Sequence, residues 1–183
     1  TAFTARGAAL AQALAEKSLE QADRILGDCQ AMGLRLVTLR DAEYPNRLRN
    51  IYDPPLLLYV QGRLPLFDDE VAIAMVGSRS ASLYAQQAAE RLAYQLTDQG
   101  ALAHRGALRA GGVTAAVIGG GHDVIYPPEN RPLYEDIAVR GAILSEYPPG
   151  TPHDGRHFPV RNRIISGLSL ATVVVEAPER SGA

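Results

Sequence analysis

Apolar residues enter this chain in two patterns. Short unbroken runs stand at residues 56–60 (LLLYV), 71–76 (VAIAMV), 113–118 (VTAAVI), 142–144 (AIL) and 171–175 (ATVVV). A run without polar alternation reads as a strand covered on both faces. Between the runs, apolar positions recur every three or four residues, the spacing of a helix with one buried face. Residues 1–32 read as helical and alanine-rich, with Leu10, Ala13 and Leu14 on one face. Ser18 and Gln21 form a capping box for a second helix, whose stripe is Leu19, Ala22, Ile25, Leu26 and Cys29, and Gly33 stops it. Residues 34–39 make a short strand. Residues 41–45 and the prolines at 53–55 make two turns. Ala85, Ala88, Ala89, Leu92 and Leu96 mark a helix over 84–98, with further helices over 101–110, 130–140 and 159–168.

Strands alternating with helices predict an α/β fold with parallel pairing. Residues 1–33 then form a partial helical domain, and residues 34–183 the main domain. One step breaks the alternation, because two helices, 84–98 and 101–110, separate the strands at 71–76 and 113–118 with no strand between them. Either the crossover is unusual or residues are absent between Gly100 and Ala101; the second reading restores the pattern. The terminal Ser181-Gly182-Ala183 reads as the opening of another turn, with more chain expected beyond it.

With 183 residues, 46% of them hydrophobic, the chain can bury one full core. No apolar run approaches the roughly 20 residues of a membrane span, and no secretory leader is read. Cys29 is the only cysteine, which excludes an intrachain disulfide and fits a reducing compartment. A formal charge of −2 argues against coating nucleic acid by bulk charge, although a local basic groove remains open.

The main candidate site is Gly77-Ser78-Arg79, at the end of the run at 71–76. Glycine lets backbone approach a ligand, a following helix offers unpaired N–H groups, and arginine supplies a donor fork suited to phosphate. Neither GxGxxG nor GxxxxGK[ST] is present, which weakens dinucleotide and ATPase readings. A second cluster, Arg161, Asn162 and Arg163, follows a long Pro/Gly-rich loop (residues 145–159) that also carries Arg156 and His157. One of the two arginines can face phosphate while the other pairs with Glu146 or Glu176. Tyr126 and Phe158 can stack on bases or simply anchor their loops. His104 and Arg105 are either pocket residues or structural ones. The histidines lack metal-ligand spacing, so no metal site is read. His122 beside Asp123 lacks a positioned nucleophile.

The ordered motifs EYPNRL (43–48), DPPLLLYVQG (53–62), VAIAMVGSRSAS-Y (71–84), AHRGAL (103–108), YPPEN (126–130), LSEYPPGTP (144–152) and FPVRNRIISGLS (158–169) resemble the DNA-processing protein A (DprA/Smf) family. The resemblance implies an extended Rossmann-like, mostly parallel fold that binds single-stranded DNA by its phosphates without catalysis. It also implies a cytoplasmic homodimer that loads the recombinase RecA during natural transformation, with no cofactor and no membrane. Carried over, Gly77, Ser78 and Arg79 line the phosphate pocket with Arg161, Asn162 and Arg163 nearby, and His104 belongs to the motif SGxAxGxDxxAHxGAL. Only the AHRGAL end of that motif is present. Its missing part falls where the alternation lacks a strand. Ala85 also departs from the family's usual glycine. A base-releasing phosphoribohydrolase of the cytokinin-activating type is the leading rival, but its PGGxGTxxE motif is absent.

Overall fold

The computed structural model describes residues 19–76, 82–84, 87 and 100–176. The expected phosphate turn, Gly77, Ser78 and Arg79, lies outside these residues, as do the first helix (1–18), most of the helix at 84–98 and the last seven positions. In chain order the elements are α1 (Glu20–Ala31), β1 (Arg35–Thr38), α2 (Asn46–Arg49), β2 (Leu57–Gly62), β3 (Ile73–Val76), α3 (Gly100–Arg109), β4 (Ala115–Val117), α4 (Arg131–Arg140), β5 (Ala142–Ser145), α5 (His157–Leu168) and β6 (Ala171–Val174).

The apolar runs became strands. Four pair in the order β1-β2-β5-β4, while β3 pairs with β6. The pairs β4–β5 and β3–β6 are parallel, whereas β1–β2 and β2–β5 are antiparallel. The expected mostly parallel sheet is therefore mixed. The reason lies in the connections: a parallel pair needs a crossover over the sheet face, and the stretch from β1 to β2 holds only turns and the four-residue α2. In the register Tyr59 faces Ser145, Gly62 faces Ala142, and Val117 faces Leu144.

Side chains alternate between two covered faces. On one, Val37, Leu58, Val60, Val117 and Leu144 pack with Tyr44, Leu48 of α2, and Ile164 and Leu168 of α5. On the other, Ile143 meets Leu108 of α3 and Leu133 and Ile137 of α4. Tyr59 on that face meets Cys29 and Leu34, with Ile25 and Leu36 alongside. All four residues of β5 are buried, as a strand sandwiched between helices must be. Tyr44 ties the two early turns together by donating its hydroxyl to the Pro55 carbonyl at 2.7 Å. Burial, helped by the nearby Glu146 charge, pushes that hydroxyl up to about 12.

One local expectation changes, the burial along α1. Helix α1 starts at Glu20 with Leu19 at its N-cap and no side-chain cap, while Ser18 of the expected capping box lies outside the described residues. Of its apolar stripe, Cys29 is buried and Ile25 half-buried, while Leu19 and Leu26 are 68% and 49% exposed. Its end is as read: Gly33 takes φ 65°, with Gly33 N–H donating to Gln30 and Leu34 N–H to Cys29. Helix α3 includes both Gly100 and Ala101. Gly100 and Ala101 are thus consecutive residues of one helix, at the junction where the alternation lacks a strand. No helix among the described residues is long and apolar enough to cross a membrane.

Leu144, at 0% exposure among side chains from both layers, sets a test of this core. Leu144→Ala is expected to lower unfolding free energy by about 2–5 kcal/mol. Val71→Ala, at a position 77% exposed, should change it by less than about 0.5 kcal/mol. Urea unfolding of both variants measures the difference.

Candidate nucleic-acid interface

Strand β4 ends in Gly119-Gly120-Gly121, and the loop at residues 145–156 folds over that turn. A Cβ on Gly120 would lie 3.0 Å from the Thr151 carbonyl oxygen. One on Gly121 would lie 2.6 Å from an Asp123 carboxylate oxygen and 2.8 Å from the Pro148 carbonyl. These glycines admit the protein's own loop at close range rather than an open ligand. Hydrogen bonds hold the contact: Ser145 Oγ donates to the Gly120 carbonyl at 2.7 Å, and Gly121 N–H to the Thr151 carbonyl at 2.8 Å. Both Asp123 oxygens accept from Gly150 N–H, at 2.8 and 3.0 Å.

The docked loop brings three of the aromatic and imidazole rings into a column. Tyr126 lies 5.6 Å from His153, and His153 stacks near-parallel on Phe158 at 6.1 Å. The Arg161 guanidinium sits 5.4 Å from the Phe158 ring centre. A second stack, Tyr147 on His157, has centroids 4.2 Å apart. His153 Nε2–H donates to the Val124 carbonyl and His157 Nδ1–H to the Gly119 carbonyl, which fixes both rings. Phe158 is half-buried within the column and anchors its loop, whereas Tyr126 is 55% exposed and presents a ring at the surface.

Both arginines of the cluster bond within the protein, and the glutamate pairing expected for one of them falls to Arg163. Arg163 bridges Glu146 at 2.7 Å and Asp53 at 3.1 Å. Burial opposes the charge of Arg163, but these two carboxylates outweigh it and raise the guanidinium above its ordinary value. Expected as a phosphate ligand, Arg163 here carries the internal ion pair that a half-buried Glu146 requires. Arg161 donates to the Val117 carbonyl at 3.0 Å and to Asn162 Oδ1 at 3.2 Å. Arg156 is 88% exposed and pairs with Asp154 at 2.7 Å. The Arg156 side chain and backbone N–H hold the Asp154 carboxyl well below the usual carboxylate range. Arg105 reaches Asn130 only at 3.5 Å. His104 bonds Thr114 Oγ1 at 2.7 Å, at the opposite end of β4 from the glycine turn. Ser82 donates N–H and Oγ to Glu176, tying the segment after β3 to the end of β6.

Asp123, Ser145, Thr151 and His153, which hold the loop, escaped the sequence reading. The only signal was the loop's length and its proline and glycine content. His122 lies inside the fold. It is buried, its Nε2–H donates to the Tyr59 carbonyl at 2.9 Å, and its Nδ1 accepts from the Tyr134 hydroxyl at 2.7 Å. Burial lowers its pKa against the opposing effects of the Tyr59 carbonyl and Asp123.

Comparison with known proteins gives a consistent answer. The profile of the family described as DNA recombination-mediator protein A matches residues 35–183. DNA processing protein DprA of Bacillus subtilis is 35% identical over 171 residues, covering 87% of this chain and 58% of that protein. The matched stretch is longer than the part of this 183-residue chain that enters it, so the relative has residues inside it with no counterpart here. The X-ray structure of DNA processing protein A from Streptococcus pneumoniae superposes with TM-score 0.76 at 39% identity, covering 81% of this chain and 56% of that one. A structure of the Helicobacter pylori protein, described for its single-stranded DNA binding mode, superposes with TM-score 0.69 at 29% identity, covering 81% and 72%. The chain spans about half the length of the curated relatives it matches.

The lowered pKa of His122 makes stability depend on pH. Below about 6.5, the ordinary histidine value, the unfolded chain binds a proton that the native imidazole refuses. Stability should therefore fall as pH drops from there towards the depressed native value, by at most about 1.4 kcal/mol per pH unit for this group. Denaturant titrations of His122→Gln between pH 5 and 7.5 should show a shallower slope than the unsubstituted protein.

Proposed function

We propose that this chain, which belongs to the DNA recombination-mediator protein A family, is a non-catalytic module that binds single-stranded DNA at the carboxyl ends of its parallel strands. The observation that carries the reading is the likeness, over 81% of the chain, to a Helicobacter pylori protein described by its single-stranded DNA binding. The parallel half of the architecture, β4–β5 with β3–β6, is read as the Rossmann-like part.

Phosphate enters at Gly77, Ser78 and Arg79, whose backbone N–H groups and guanidinium fork are the donor types an anion takes. Arg156 takes an adjacent phosphate. Its pair with Asp154 is at the surface, where such pairs are worth about 1 kcal/mol or less and exchange readily for a phosphate. Tyr126 offers its exposed face to a base, with His153 and Phe158 stacked behind it. Arg161 and Asn162 support this rim from the first half of α5. Binding of this kind tolerates any sequence, favours flexible strands and weakens with salt. In the whole protein the same surface serves a cytoplasmic homodimer that protects incoming DNA and hands it to RecA.

Two substitutions separate the roles. Arg79→Ala should weaken single-strand affinity at least about tenfold and flatten its salt dependence, with an unchanged circular dichroism spectrum. Arg163→Ala should instead lower stability by about 1–3 kcal/mol and leave the affinity of folded protein within twofold. Fluorescence anisotropy with a labelled oligonucleotide across salt concentrations measures both. Unchanged binding by folded Arg79→Ala protein removes that residue from the site. Release of adenine from AMP by the same sample would favour the phosphoribohydrolase reading.

A further inference from the structure

Arg156, the N-cap residue of α5, meets one carboxylate with three donors. Its backbone N–H donates to Asp154 Oδ1 at 2.8 Å, and its Nε–H donates to the same oxygen at 3.0 Å. Its Nη2–H donates to Asp154 Oδ2 at 2.7 Å. The Nε and Nη2 edge of a guanidinium is one with which it grips a phosphate by two parallel bonds. The carboxylate also sits at the start of a twelve-residue helix, where the helix dipole favours an anion. Asp154 thus holds the donors that a strand phosphate at Arg156 would take.

The fold needs only part of this contact. The turn is held by Arg156 N–H on the Asp154 side chain and by His157 N–H on the Asp154 carbonyl at 3.0 Å. The first bond asks for a side-chain acceptor and the second for backbone, so neither requires a charge at position 154. The guanidinium pair stands in the open. Arg156 is 88% exposed, and a Cβ on the intervening Gly155 would meet nothing within 4 Å. Arg163 differs, because its 22% exposed side chain holds two carboxylates at once.

We infer that Asp154 is a built-in competitor for the strand at Arg156, and so the residue that limits affinity at this subsite. Its carboxylate keeps the guanidinium fork until a phosphate displaces it and the freed carboxylate turns to solvent. The inference rests on the single-strand reading above and adds to it a residue that sets its strength. The tether decides which phosphate succeeds. Two residues away, Asp154 is offered to Arg156 at the effective concentration of a short connection, millimolar or more. A free phosphate competes only at its bulk concentration. The next phosphate of a strand already held at a neighbouring site arrives tethered as well. Salt dependence carries the signature. With Asp154 in place the Arg156 charge is already matched, whereas without it Arg156 meets the strand as a full cation. The salt slope then steepens by up to about 0.7 for a single strand.

Asp154→Asn tests this, because asparagine keeps an oxygen for the Arg156 N–H and removes the charge. Binding of a labelled single-stranded oligonucleotide is followed by anisotropy across salt concentrations. Affinity at low salt should rise about two- to fivefold, the range an exposed ion pair spans. The salt slope should steepen and the circular dichroism spectrum stay unchanged. Asp154→Ser, whose hydroxyl also caps, should give the same gain. In an Arg156→Gln background, Asp154→Asn should leave affinity unchanged. An equal gain in that background would overturn the inference, because it would then reflect the loss of any negative charge near the strand. No gain in either folded single variant would also overturn it while leaving the strand reading intact. Unsubstituted protein that binds no strand would remove both.

Discussion

A buried backbone must find partners for every N–H and C=O, and that constraint organises this molecule around β5. Its four residues are buried on both faces and bonded on both edges, antiparallel to β2 and parallel to β4. The antiparallel wing of β1 and β2 and the parallel core are joined there. The same demand governs the glycine turn after β4, where carbonyls at Gly119 and Gly120 are taken by His157 and Ser145. At the Val117 carbonyl the donor is a side chain, the Arg161 guanidinium.

Charge placement matters more here than total charge. With a formal charge of −2, the chain has no excess of cations to spread over its surface, and several arginines are bound internally. Arg163 neutralises Glu146 and Asp53, and Arg35 pairs with Glu43 at 2.6 Å. An arginine that holds two carboxylates serves the fold first. A cation suited to a mobile polyanion is instead one whose own side chain stands at the surface, as that of Arg156 does. This separates a phosphate surface from the ion pairs that support it, although both arise from neighbouring positions in the chain.

The aromatic column gives the rim its stiffness. Tyr126 and His153 belong to two loops that carry little regular structure, and their stacking against Phe158 in the first turn of α5 replaces the hydrogen-bond ladders absent there. Asp123 and Thr151 fasten the loop backbones to each other. A surface that presents one exposed ring on a pre-ordered support spends little conformational entropy when a base settles on it.

The sequence by itself determined which segments became strands and helices, because unbroken apolar runs and three-to-four spacing are local signals that burial on both or one face enforces. It also marked Gly33 as a helix stop. Only the tertiary structure decided that the sheet is mixed, since short turn-filled connections can return a strand alongside its neighbour without any mark in its composition. Only it decided which arginine served which partner: Asp53 lies 110 positions from Arg163 in the chain. Helical spacing shows that Arg161 and Arg163 diverge, but the acceptors they meet are delivered by folding. An ion pair depends on distance in space, and a linear pattern carries no record of it.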